Sequence, residues 1–111
     1  MNFEQYQQLS ERTIDKTKDN KANFSLGLAG EAGETVDIIK KYLFHGHQIN
    51  HEKLENELGD VLWYVSAICS EFNINLEDVA KTNIKKLKER YPQGFEESKS
   101  INRLEHKLNI H

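Results

Sequence analysis

Cysteine, proline and tryptophan each occur once in this chain of 111 residues, and no run of about eighteen apolar residues occurs anywhere. Each scarcity excludes something. A lone thiol, Cys69 in the apolar run "VSAICSEF", builds no disulfide framework and reads as a buried side chain in a reducing compartment. One proline leaves helices free to run almost unbroken. No stretch is apolar enough to span a bilayer, and no charged-then-apolar leader opens the sequence, so the expectation is a soluble, cytoplasmic protein. Basic charge is also short. Fifteen Lys and Arg against eighteen Asp and Glu leave a formal net charge of −3, which offers no basic field to a nucleic-acid polymer. A hydrophobic fraction of 37% beside 30% charged residues is low for one self-sufficient domain, so oligomerisation would help cover its core.

What is present is helical periodicity. A first helix is expected over residues 2–19, with Phe3, Tyr6, Leu9 and Ile14 as a weak apolar stripe. A second runs from about Ser25 to Phe44, with Leu28, Ala32, Val36, Ile39 and Leu43 inward. After the loop "HGHQIN", a third spans His51 to Phe72, where Leu54, Leu58, Val61, Val65, Ile68 and Phe72 alternate steps of four and three. Asn75 in "NINLED" is placed to cap a fourth helix over Leu76 to Arg90, which Tyr91-Pro92 ends. Between Ser98 and Asn109, Ile101, Leu104 and Leu108 mark either a short helix packed on a partner chain or a fraying tail. No strand-period alternation competes. The expected architecture is all-α, a four-helix bundle-like protomer around a central antiparallel helix hairpin, with a domain over 1–95 and a C-terminal helical tail over 96–111.

One stretch resists this simple reading. "LGLAGEAGETVD", residues 26–37, carries Gly27, Gly30 and Gly33 inside a helix, each roughly 1 kcal/mol worse than alanine. Among them sit Glu31 and Glu34, one turn apart. "ELGDVLWY" repeats the pattern with Glu57 and Asp60 beside Gly59. Glu34 lies ~15 Å of helix before the loop and Glu57 ~10 Å after it, so in a hairpin the two pairs stand at nearly one level. All four carboxylates can then face one another, with the glycines as clearance for close approach of the backbones. The plainer reading is a pair of solvated acidic faces, which is how Glu52 and Glu55 are read. At 100° per residue, Glu57 and Asp60 centre about 90° from their helix's apolar stripe and Glu31 and Glu34 about 130° from theirs, so geometry permits the site without requiring it. Four converging carboxylates need protons or cations to offset their repulsion. Oxygen ligands favour Mg²⁺ or Mn²⁺; zinc prefers His or Cys, and a di-iron bundle uses Glu-x-x-His pairs.

Cations for phosphate are also in reach. Lys53 stands one turn before Glu57, and Lys86 and Arg90 share a stripe with Asn83 on the fourth helix. Lys85 and Lys88 read as a solvated basic face. Asn83 forms helix poorly and suits an amide contact to a base or sugar. His45, His47 and His51 lack the cysteine or helical frame of a zinc site and read as a polar loop. Trp63, one turn after Asp60, either stacks on a base at the pocket's edge or packs in a core or subunit interface. The apolar content around Trp63, Tyr64 and Val65 exceeds what one protomer covers, which points to an interface.

"GLAGEAGETVDIIKK", "ELGDVLWYV" and "NIKKLKERYPQGF" together resemble the MazG-like nucleotide pyrophosphohydrolases of the all-α NTP pyrophosphatase superfamily, over about residues 22–95. The resemblance implies four-helix protomers assembled as dimers or tetramers, and Mg²⁺-dependent cleavage of a nucleoside triphosphate to monophosphate and pyrophosphate. It implies Glu31, Glu34, Glu57 and Asp60 as metal ligands and Asn83 and Lys86 as nucleotide contacts, with Arg90 and Tyr91 beside them. The chemistry asks for a general base, for which Glu31 and Glu34 are the candidates, and for cations on the leaving pyrophosphate, where Lys53, Lys86 and Arg90 stand. The rival expectation is a non-catalytic helical module that binds a nucleotide or a protein.

Overall fold

Four α-helices form in the order α1 (Phe3–Glu11), α2 (Lys21–Phe44), α3 (His51–Glu71) and α4 (Leu76–Arg90), and the described residues, 1–95 and 97, contain no strand. This computed structural model divides into two compact units, Met1–Leu76 and Glu77–His111. The expected C-terminal helical tail lies outside the described residues except for Glu97.

Helix α1 is about half the expected length. Asn2 and Gln5 start it with a reciprocal capping box, at 2.8 and 2.9 Å. Its end is set by competition for backbone groups. The N–H groups of Arg12, Thr13 and Ile14 tighten onto carbonyls three residues back. The Asp15 carboxylate then takes both the backbone N–H and the hydroxyl of Thr17, at 3.0 and 2.6 Å, which turns the chain instead of continuing it. Helix α2 begins four residues earlier than expected, with Asp19 accepting the Lys21 N–H at 3.0 Å. Asn50 caps α3 through the Lys53 N–H at 3.0 Å, and α4 has the expected bounds.

α2 and α3 run antiparallel: Phe24 meets Trp63 and Tyr64, while Glu31, further along α2, meets Glu57, further back on α3. The face that α2 turns toward α3 differs from the one its apolar residues suggest. The covered or half-covered positions are Phe24, Gly27, Leu28, Glu31, Thr35, Asp37 and Ile38, whereas Ala32, Val36, Ile39 and Leu43 of the expected inward stripe are exposed. The true contact stripe is rotated by about 90° from the apolar one. That rotation carries Glu31 onto the helix interface.

α1 packs on α3 through hydrogen bonds as much as through apolar contact. The buried apolar residues are Phe24, Ala67, Cys69 and Leu76, and the buried polar ones are Gln7, Ser10, Asn20 and Ser66. The Gln7 amide donates to Ser70 Oγ (3.2 Å) and to the Ile74 carbonyl (2.9 Å) and accepts the Leu76 N–H (2.8 Å), fastening the start of α4 to α1. Ser10 and Ser66 pair their hydroxyls at 3.0 Å, and Ser70 donates to Glu11 at 2.8 Å. Cys69 is buried, as its setting in the sequence implied, and burial pushes its thiol pKa up.

Candidate active site

The α3-facing stripe of α2 presents Glu31, and one turn further on Glu34 follows. From α3, Glu57 and Asp60 approach the same level. One carboxylate oxygen from each of Glu31, Glu57 and Asp60 lies within 4.8 Å of the other two. Glu34 is exposed and stands outside that tight group, but its carboxylate also reaches Glu57. Glu57 carries most of the tension. Its Oε2 is shut off from solvent and accepts from no donor group among the described residues. Its carboxyl is pushed above the ordinary 4.5, first by hydrogen bonding to Glu31, then by burial and by the negative charges of Glu31 and Asp60, with Glu34 partly opposing.

This donor set fits a hard divalent cation. All the ligating atoms are carboxylate oxygens, and an orphaned, half-buried carboxylate that gains by holding a proton gains in the same way by holding a metal. No basic side chain does that work here: the ion pairs among the described residues join Lys16 to Glu11, Lys21 to Asp19, and Lys40 and Lys41 to Asp37. The histidines do not compete for it. His45, His47 and His51 are exposed in and just after the α2–α3 loop, and they form no metal-holding cluster among the described residues.

The model of the MazG nucleotide pyrophosphohydrolase domain matches residues 20–95, which takes in both acid pairs and α4. The chain belongs to this family. The Gene 37 protein of Mycobacterium phage L5 is 36% identical over 83 residues, 71% of this chain and 73% of that one. No solved structure matches the chain significantly.

Within the MazG domain the glycines have unequal roles, and the expectation that all of them give clearance is corrected. A Cβ on Gly27 would run into the ring of Tyr64, so there the absence of a side chain is what lets α3 close on α2. Among the described residues, nothing beyond the adjoining turns of the same helix lies within 4 Å of where a Cβ on Gly30, Gly33 or Gly59 would sit. They lie on the outward sides of their helices, so close approach around the acids owes nothing to them.

Two further side chains lie near this level that sequence reasoning did not single out, Tyr6 beside Asp60 and Asp37 on α2. Tyr6 of α1 is half-buried, and its hydroxyl pKa is raised by burial first and by the charge of Asp60 second. In the sequence it is one member of a weak apolar stripe, with nothing to set it apart. Asp37 continues the Glu31–Glu34 row by one more turn, and Lys41 donates to it at 2.9 Å. That bond, with the charges of Lys41, Lys40 and Lys53, holds its carboxyl below the usual range. The charge of Lys53 thus reaches Asp37, although the ion pairs of Asp37 are with Lys40 and Lys41. Asn83, Lys86 and Arg90 occupy one stripe of α4 in the second unit, and the opposite stripe, with Lys81, Lys85 and Lys88, lines a hollow of about 460 Å³.

Proposed function

We propose that this MazG domain is a Mg²⁺-dependent nucleoside triphosphate pyrophosphohydrolase, cleaving a (d)NTP between its α- and β-phosphates. The observation that supports it is the convergence of three carboxylates around an orphaned Glu57 oxygen, with a fourth at the rim. A binding module has no use for that density of like charge. Glu31, Glu57 and Asp60 would hold the Mg²⁺, for which Mn²⁺ is the natural substitute. When bound, the metal neutralises triphosphate charge and makes a water more acidic.

The chain's own groups account for the rest. Water attacks the α-phosphorus, and the bond to the α,β-bridging oxygen breaks. Pyrophosphate leaves with that electron pair, and the proton passes to a carboxylate. Glu34 suits that last role better than Glu31, being exposed and outside the tight ligand group. Lys53 is the cation of the first unit that suits the leaving pyrophosphate, while Asn83, Lys86 and Arg90, the other expected nucleotide contacts, belong to the second unit. The domain works as a homo-oligomer, because Leu26, Val36 and Phe44 remain 72%, 62% and 77% exposed in one protomer. No helix among the described residues is long and apolar enough to cross a membrane, in keeping with a cytoplasmic role in nucleotide-pool housekeeping.

Incubation with a panel of NTPs and dNTPs plus Mg²⁺ tests this directly. Monophosphate and pyrophosphate are the expected products; release of orthophosphate, or triphosphate recovered unchanged across the panel, overturns it.

A further inference from the structure

On the loop side of the carboxylates, the hairpin carries charge of the other sign. From the contact of Glu31 with Glu57, Asp37 lies six residues on along α2 and Lys53 four residues back along α3, about 9 and 6 Å of helix. In an antiparallel pair both steps lead toward the loop, so Asp37 and Lys53 stand at adjoining levels. We infer that Asp37 is a positioning residue for the metal site: it draws Lys53 across the hairpin and so keeps that ammonium group off Glu57. The inference rests on the reading of Glu31, Glu57 and Asp60 as metal ligands.

An ion pair that the spacing favours is missing here. Lys53 precedes Glu57 by four residues, the separation at which opposite charges meet on a helix. Glu57 Oε2 is closed to water and accepts from no donor group among the described residues, so a cationic partner there would relieve a desolvated charge. Lys53 is exposed, and it joins no ion pair among the described residues that would occupy it elsewhere. It still leaves Glu57 alone.

The charge of Lys53 is spent on Asp37 instead. Asp37 is half-covered, with Lys41 Nζ at 2.9 Å from its Oδ2 and Lys40 Nζ at 3.9 Å from its Oδ1. The Lys41 hydrogen bond first, against burial, and then the charges of Lys41, Lys40 and Lys53 hold its carboxyl below the usual range. Glu57 shows the reverse. Its carboxyl is pushed up by hydrogen bonding to Glu31, by burial, and by the charges of Glu31 and Asp60. Cations thus gather on Asp37, while the ligand next to them keeps only negative neighbours.

That separation matters to a metal site. An ammonium group paired with Glu57 would compete with a divalent cation for the same oxygens and repel it as it arrives. Lys40 and Lys41 pose no such threat to Glu34, since they follow it by six and seven residues, beyond the neighbouring positions of a helix. Lys53 is the cation within reach of a ligand, and Asp37 is the group that occupies it.

Mn²⁺ binding to the substrate-free full chain, followed by isothermal titration calorimetry, reads the metal site without turnover. Asp37→Asn should weaken Mn²⁺ about two- to fivefold, the equivalent of one partly exposed ion pair, with the helical circular dichroism unchanged. Asp37→Glu, which keeps the charge, should bind Mn²⁺ as the parent does. Removing a negative charge near a cation also weakens binding directly, so the deciding background is Lys53→Gln. There Asp37→Asn should change the affinity little, because no ammonium group is left to swing onto Glu57. An equal loss in both backgrounds, or no loss in the parent, overturns the inference. The two readings are told apart by the parent itself. A parent that takes up no Mn²⁺ at millimolar concentration removes the metal site and this inference with it, whereas Mn²⁺ binding indifferent to Asp37→Asn removes this inference alone.

Discussion

Gly27→Ala and Gly30→Ala are one methyl group each, three residues apart on the same helix, and their stabilities should move in opposite directions. Both are interior positions of α2, so each gains about 1 kcal/mol of helix propensity on becoming alanine. Only Gly27 meets an obstacle. The added methyl would overlap the Tyr64 ring, which is held 5.0 Å from Trp63 and 6.2 Å from Phe24 and cannot swing aside without losing those contacts. Overpacking of this kind costs about 1–3 kcal/mol. Gly30 has open space within 4 Å, so its gain is unopposed. The propensity term cancels between the two variants, and their stability difference isolates the packing term, about 1–3 kcal/mol. For a urea dependence of about 2 kcal/mol per M, that separates the two unfolding midpoints by about 0.5–1.5 M. Equilibrium urea unfolding of both variants, followed by helical circular dichroism, measures it. Coincident midpoints would refute the claim that the Gly27–Tyr64 contact sets the helix separation. A Gly30→Ala as damaging as Gly27→Ala would show that the outward face of α2 is covered, as by a second copy.

Glu34→Gln and Asp60→Asn should each lower turnover by about 10²-fold or more while circular dichroism is unchanged; two active variants would remove the site assignment. Glu57→Gln gives the pH signature. Because the folded carboxyl titrates above its ordinary 4.5, the folded state holds more proton than the unfolded one between those two values, and this group's contribution to stability falls as pH rises through that window. Metal-free Glu57→Gln should therefore gain stability relative to the parent as pH rises past 4.5, and saturating Mg²⁺ should shrink the gap; a pH-independent difference in urea midpoints would contradict this. Gln7→Ala leaves the Leu76 N–H and the Ile74 carbonyl without their buried partner, and thermal unfolding should show a loss of about 2 kcal/mol or more. A shift within 1 °C would mean that α1 is not what anchors the start of α4.

The helices α3 and α4 are legible because their signals are local. α3 has steps of four and three over twenty residues, and α4 has a proline after it. α1 is misjudged because Thr13, Asp15 and Thr17 compete for the backbone through side-chain hydrogen bonds, which an apolar stripe does not register. The face of α2 is misjudged for a different reason. Apolar residues normally mark the inward side, but here the helix turns glycine, glutamate and threonine toward α3 and leaves Val36, Ile39 and Leu43 outside. The four acids are findable because their spacing repeats on both arms of a hairpin. Tyr6 and Asn20 are not, because their places depend on tertiary contacts between α1, the connection after it and α3.

That inversion of α2 is the clearest physical sign of what the hairpin is for. Two helices joined by a short loop would ordinarily close along an apolar seam. This seam is apolar toward its ends, where Phe24 packs on Trp63 and Tyr64 and where Ile38 is half-covered, and its middle is given to Glu31 and Glu57, whose like charges oppose closure. An arrangement that weakens its own protomer persists if something absent from the free chain completes it. A divalent cation between the carboxylates would turn the repulsive middle of the seam into an attractive one, linking metal binding to the stability of the hairpin. The apolar stripe displaced from the seam is then left on the outer face of α2, where only another surface can cover it. Under the proposed function, metal in the seam and a partner on the outer face would both follow from one rotation of one helix.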